Sequence, residues 1–186
     1  MIGMFATYVD PSARESVGAV LDSTFLSEGV KVRAFEDALA HKFNIPRPIA
    51  LNSGSTALEL ALELAGVGHG DEVITSPQTF IATGIAILRQ GAVPVFADIE
   101  YDTGNIDPDS VQKKITPKTK AILPIHWGGY PCDMDRLSAI AKEHGLKVIE
   151  DAAHALGASY HGKSIGAISD FTCFSFQAIK HVTTGD

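Results

Sequence analysis

Lys147-Val148-Ile149-Glu150-Asp151-Ala152-Ala153-His154 passes from a short apolar run directly to two carboxylates and, three residues later, an imidazole. The run is too short for a helix and suits a strand buried on both faces, which would leave the polar residues at its carboxyl end. The pattern recurs. Strands are predicted at Pro48 to Leu51, Glu72 to Thr75, Val93 to Ala97, Ala121 to Ile125, Lys147 to Ile149 and Phe171 to Phe174, all short and mostly β-branched or aromatic. Polar or glycine-bearing clusters follow five of them: Asn52 to Thr56, Ser76 to Phe80, His126 to Gly129, Glu150 to His154 and Ser175 to Lys180.

Helical patterns separate the strands. Val32, Phe35, Leu39 and Phe43 share one helical face, and Leu137, Ile140 and Ala141 do the same before Gly145, a helix stop. The leucines of Leu58 to Leu64 alternate as in a strand, yet Ala, Leu and Glu are strong helix formers and none is β-branched, so a helix ending near Gly66 is predicted. Alternating strands and helices mean an α/β fold, a wide and mainly parallel sheet sandwiched by helices. Ligands of such sheets bind at the carboxyl ends of strands, where one site would collect all five clusters.

The 186 residues are enough for one sizeable core, and 45% apolar with 20% charged content is ordinary for a globular protein. A net charge of -7, without long runs of either sign, gives no footprint for nucleic acid or an anionic membrane. Cys132 and Cys173 are the two cysteines, with no CxxC and no His/Cys cluster at zinc spacing, so neither a disulfide framework nor a metal site is expected. No stretch reaches the ~20 apolar residues of a membrane span, and MIGMFATYVDPSARES lacks the pattern of a signal peptide. A cytoplasmic protein is the expectation.

Each polar cluster has a chemical and a plain structural reading. Asn52-Ser53-Gly54-Ser55-Thr56 would present backbone N–H groups at a positive helix end, suited to a phosphate, or would simply cap the helix. Asp151 would hold a pyridinium proton, or would cap the turn after its strand, with His154 a packing histidine. Lys180, five residues after Ser175 in an apolar stretch, would be a desolvated nucleophile, or a solvated surface lysine. Phe80 would stack on a flat cofactor, or belong to the core.

Taken in order, SGSTALELAL, GDEVITSPQTFIAT, GAVPVFADIE, ITPKTKAILPIHWGG, VIEDAAHALGASYHGKSIG and FSFQAIKHVTTGD resemble the DegT/StrS family of pyridoxal-phosphate-dependent nucleotide-sugar aminotransferases, and FLSEGVKVRAFEDALA extends the similarity towards the start. The resemblance implies the aspartate-aminotransferase-like fold, fold type I. It also implies a homodimer with sites at the subunit interface, and transfer of an amino group from an amino acid, usually glutamate, to a nucleotide-linked keto sugar. By matching motif positions, Lys180 would form the Schiff base with pyridoxal 5'-phosphate, Asp151 would pair with the ring nitrogen and His154 would lie near the phenolic oxygen. Phe80 would stack on the ring, and Gly54, Ser55, Thr56 and Ser175 would hold the phosphate.

Some relatives carry histidine in place of the lysine and act as dehydratases, so Lys180 favours transamination. Residues 1–186 would form the N-terminal part of the cofactor-binding large domain, with the small C-terminal domain absent and the chain cut short after Asp186. The alternative is a non-catalytic remnant or regulatory protein of the same fold.

Overall fold

A computed structural model describes residues 6–185. Among them, five strands form one sheet: β1 (Glu72–Thr75), β2 (Val93–Phe96), β3 (Thr119–Leu123), β4 (Lys147–Asp151) and β7 (Phe171–Cys173). Their order is β2-β1-β3-β4-β7 and every pairing is parallel. A two-stranded antiparallel hairpin, β5 (Ser159–Tyr160) and β6 (Lys163–Ser164), lies between β4 and β7 in the chain. The helices are α1 (Ala13–Asp22), α2 (Val30–Phe43), α3 (Gly54–Leu64), α4 (Ile81–Arg89), α5 (Pro108–Lys114) and α6 (Met134–His144).

Two apolar layers hold α3 to α6 on the sheet, and the period of two along each strand divides the residues between them. Val73, Leu123 and Ile149 pack with Leu58, Leu62 and Ile87 of α3 and α4. Their neighbours Ile74, Ile122 and Val148 pack on the other face with Val111, Leu137 and Ile140 of α5 and α6. This is the predicted α/β sheet between helices. The strand order turns back beside β1, and the switch points of such sheets are where ligand crevices open at the strand carboxyl ends. Helix stops fall where expected: α6 ends on Gly145 in the left-handed region at φ 67°, and α3 is followed by Gly66 at φ 76°.

Four strands have shifted boundaries and one predicted strand is missing. Segment 48–51 makes no sheet ladder; the Ala50 N–H bonds instead to Glu36 Oε1 on α2 at 2.8 Å, and Ile49 is exposed. A strand exists through its partner, and among the described residues no strand lies alongside this apolar run, so five of the predicted strands rather than six make the main sheet. β3 starts earlier than predicted and stops at Leu123, because Pro124 has no N–H to continue the ladder. Ile125 rejoins through a single bridge to Asp151. β2 and β7 each end one residue early, while β4 runs on to include Glu150 and Asp151.

Candidate active site

Asp151 is the last residue of β4, buried, with its backbone held on both sides: its N–H donates to Pro124 O at 2.9 Å and its carbonyl accepts from the His126 N–H at 3.1 Å. Its carboxylate is held as well. The Ala153 N–H reaches Oδ1 at 3.2 Å, and the buried Thr83 hydroxyl of α4 donates to Oδ2 at 2.7 Å. Asp151 therefore caps the turn with one oxygen, as the plain reading had it, and keeps further acceptor capacity on the other.

Glu150 points to the opposite face, as strand alternation requires. Its oxygens accept from the Thr172 hydroxyl and from His126 Nε2, each at 2.7 Å, and both Glu150 and His126 are wholly buried. The Cys132 N–H donates to His126 Nδ1 at 3.1 Å, so the ring proton sits on Nε2 and points at Glu150. This pair ties the end of β4 to the loop carrying Trp127, Gly128 and Gly129. That loop lies hard against His154: a Cβ on Gly129, at φ 88°, would stand 2.6 Å from the His154 carbonyl oxygen, and the Trp127 and His154 rings meet edge to face at 5.9 Å.

Lys180 lies in a turn after β7, with its N–H bonded to Gln177 O at 2.9 Å. Phe176 fixes this segment to α2 through an edge-to-face contact with Phe35 at 5.0 Å. Lys180 is half-buried and lines an open pocket of about 350 Å³ with Gly128, His154, Ile179 and His181. Burial lowers its basicity below that of an ordinary lysine, while the negative charge of Asp151 pulls it partly back. His154 is also shifted down, first by burial and then by the positive charge of Lys180, with Asp151 opposing. Lys180 and His154 thus share one pocket, and the charge of Asp151 acts on both. A cavity of similar size on the far side, near Lys142 and Asp170, contains none of these groups.

Gly54 opens α3 directly against the segment after β7. A Cβ there would come 3.2 Å from Ser175 Cβ and 3.3 Å from the Phe174 carbonyl, so any larger residue would require the segment after β7 to give by a few tenths of an ångström. Ser53 is the N-cap and accepts from the Thr56 N–H at 3.1 Å, its hydroxyl lying 3.0 Å from the Thr56 hydroxyl. The capping reading of this loop holds for Ser53 and Thr56. The N–H groups of Gly54 and Ser55 belong to the first turn and have no intrahelical partner. They lie at a positive helix end beside Ser175, which suits a phosphate.

Of the residues singled out in the sequence, Gly54 and Ser175 meet, and Lys180 stands with His154 within electrostatic reach of Asp151. Phe80 heads α4, one turn before Thr83, with its ring 71% exposed, so the core reading does not apply to it. Thr79 and Gly129 fall inside two of the polar clusters without a role of their own, and Thr83 falls in none, its trace in the sequence being a threonine four residues after Thr79.

The sequence profile described as the DegT/DnrJ/EryC1/StrS aminotransferase family matches residues 8–186. The spore coat polysaccharide biosynthesis protein SpsC of Bacillus subtilis is 49% identical over 172 residues, 92% of this chain and 44% of that protein. GDP-perosamine synthase of Caulobacter vibrioides is 42% identical over 186 residues, all of this chain and 50% of that enzyme. Among solved structures, Spr1654 of Streptococcus pneumoniae in its PLP form superposes with a TM-score of 0.93 at 36% identity, over 98% of this chain and 50% of that one. The same protein has been solved in a PMP form. The chain spans about half the length of these relatives. With the match running from Tyr8 through the lysine, aspartate and glycine-led helix just described, this chain belongs to the DegT/DnrJ/EryC1/StrS family of PLP-dependent aminotransferases.

Proposed function

We propose that the protein to which this chain contributes transfers an amino group from an amino acid, glutamate in the simplest case, to a nucleotide-linked keto sugar, with Lys180 carrying pyridoxal 5'-phosphate. The observation that bears most weight is Lys180 itself, half-buried, lowered in basicity and sharing a pocket with His154 at the carboxyl end of the sheet. A neutral amine is the form that attacks an aldehyde, and burial increases its share. When bound, the cofactor supplies an electron sink for the carbon that loses its proton.

The chain's residues fit that group from end to end. Gly54, Ser55 and Ser175 would take the phosphate, with Thr56 contributing through the helix start that Ser53 caps. Asp151 would face the ring nitrogen, His154 the phenolic oxygen, and Phe80 one face of the ring. Lys180, once displaced by the incoming amine, would move a proton to and from the substrate carbon as general base and acid. The nucleotide-linked acceptor is supported by a relative named GDP-perosamine synthase. Within the whole protein, residues 1–186 would be the N-terminal part of the cofactor-binding domain. A cytoplasmic homodimer fits this reading, and among the described residues no helix is long and apolar enough to cross a membrane.

Incubating the chain with pyridoxal phosphate and glutamate and measuring 2-oxoglutarate tests the donor half of the reaction. One equivalent per bound cofactor, abolished in Lys180→Ala, is expected. Undiminished 2-oxoglutarate from Lys180→Ala would remove the lysine from its role. Adding GDP- and dTDP-linked keto sugars and looking for the amino sugar by mass spectrometry tests the acceptor half.

A further inference from the structure

Thr79 and Thr83 take no part in the reading above, yet they lie in line with its central carboxylate. The Thr79 and Thr83 hydroxyl oxygens are 2.7 Å apart, and Thr83 Oγ1 is 2.7 Å from Asp151 Oδ2. Thr83 is completely buried, and Asp151 nearly so. The direction of the chain follows from valence. A carboxylate only accepts, so the Thr83 proton is committed to Asp151; Thr83 must then accept from Thr79, whose proton points inward. A chain with all donors aligned strengthens its last hydrogen bond, most of all where water is excluded.

We infer that Thr83, polarised by Thr79, is a positioning residue that holds the Asp151 carboxylate in the orientation that meets the cofactor's ring nitrogen. This inference rests on the reading of Asp151 as the ring-nitrogen partner. The Ala153 N–H fixes Oδ1 and Thr83 fixes Oδ2, so rotation of the carboxylate is stopped from both sides. The two fixings come from different elements, the β4 turn and the first turn of α4. Phe80 and Thr83 share that first turn, and the Thr83 N–H bonds to the Phe80 carbonyl at 3.2 Å. One helix start thus presents an aromatic ring and sets the carboxylate. A threonine hydroxyl can satisfy itself on a backbone carbonyl three or four residues back. Thr83 instead reaches across to a strand 68 residues away in sequence.

The test compares pyridoxal phosphate with its 1-deaza analogue, which has carbon in place of the ring nitrogen and offers Asp151 nothing to hold. Binding is followed by quenching of Trp127, the chain's one tryptophan, which contacts His154. Thr83→Val keeps the shape and removes the donor; it is expected to weaken pyridoxal phosphate about tenfold and leave the deaza analogue unchanged. Thr83→Ser, which restores the hydroxyl, is expected to bind both as the unaltered chain does. Thr79→Ala, at the half-buried end of the chain, is expected to give a smaller loss in the same direction, and it decides the matter should Thr83→Val not fold.

Equal losses for both ligands, or no loss for either, would overturn the positioning role. Asp151→Asn separates the two levels. If it distinguishes the ligands and the threonine variants do not, the inference alone fails. If Asp151→Asn treats both ligands alike, or the unaltered chain binds neither, the ring-nitrogen reading fails and takes the inference with it.

Discussion

At Lys180 two influences oppose each other, burial lowering the basicity and Asp151 raising it, with burial the larger. Removing the carboxylate charge should therefore lower it further. Acetylation of Lys180 followed against pH by peptide mass spectrometry should titrate below the ordinary lysine value of 10.5, and lower still in Asp151→Asn. The sign for stability follows. Between the lowered folded value and 10.5 the unfolded chain binds more protons than the folded one, so this residue's contribution to stability rises with pH across that window. His154 behaves in the same sense around 6.5, and acidification through its folded value costs stability. Because Lys180 is the second-largest cause of the His154 shift, Lys180→Met should move the His154 imidazole midpoint, read by NMR, back towards 6.5. The placement of these residues was partly legible in the sequence. A lysine in an apolar stretch and a carboxylate ending an apolar strand give themselves away; Thr83 does not, because its partner is 68 residues distant and only the fold brings them together.

Among the elements, local chemistry fixed the helices more firmly than the strands. Asp107 caps α5 by accepting the Asp109 N–H at 2.9 Å, with Pro108 in the first turn. Asp107→Ala should cost about 1 kcal/mol, read as a lower urea midpoint. Gly129→Ala should cost more, at least about 1–3 kcal/mol, since it combines a positive φ with a 2.6 Å clash against the His154 carbonyl, which cannot yield as a flexible side chain would. It should also displace His154. Strands were legible where both faces are buried, as in β1, β3 and β4. Segment 48–51, Pro-Ile-Ala-Leu, is as apolar but lacks a neighbouring strand among the described residues, and an apolar run carries no information about neighbours. The hairpin of β5 and β6 was missed for another reason. Its two-residue turn is His161-Gly162, with φ 48° and 78°, the twist that closes a hairpin, and the histidine hides a signal that Asn-Gly or Asp-Gly would have shown.

For the whole molecule, the sheet with a covered layer on each face makes the two cysteines natural reporters. Cys173 lies in the layer under α3 and α4, and Cys132 in the layer under α5 and α6. Burial pushes each thiol up to about 12, so neither has appreciable thiolate near neutrality. Iodoacetamide at pH 8 should leave both unmodified in the folded chain and label both in urea; if the two layers open together, the labelling rates should match through the transition. The parallel architecture and the end of the sheet that holds the site were legible because polar clusters repeatedly follow apolar runs. That Gly54 and Ser175 come together was implied by the family resemblance; how tightly they approach was not legible, since it depends on how α3 seats against β7. All of this converges on one lysine. Reducing the chain with borohydride in the presence of pyridoxal phosphate and mapping the adduct by peptide mass spectrometry should give modification at Lys180, lost in Lys180→Ala; an adduct scattered over surface lysines and unaffected by that substitution would contradict the account.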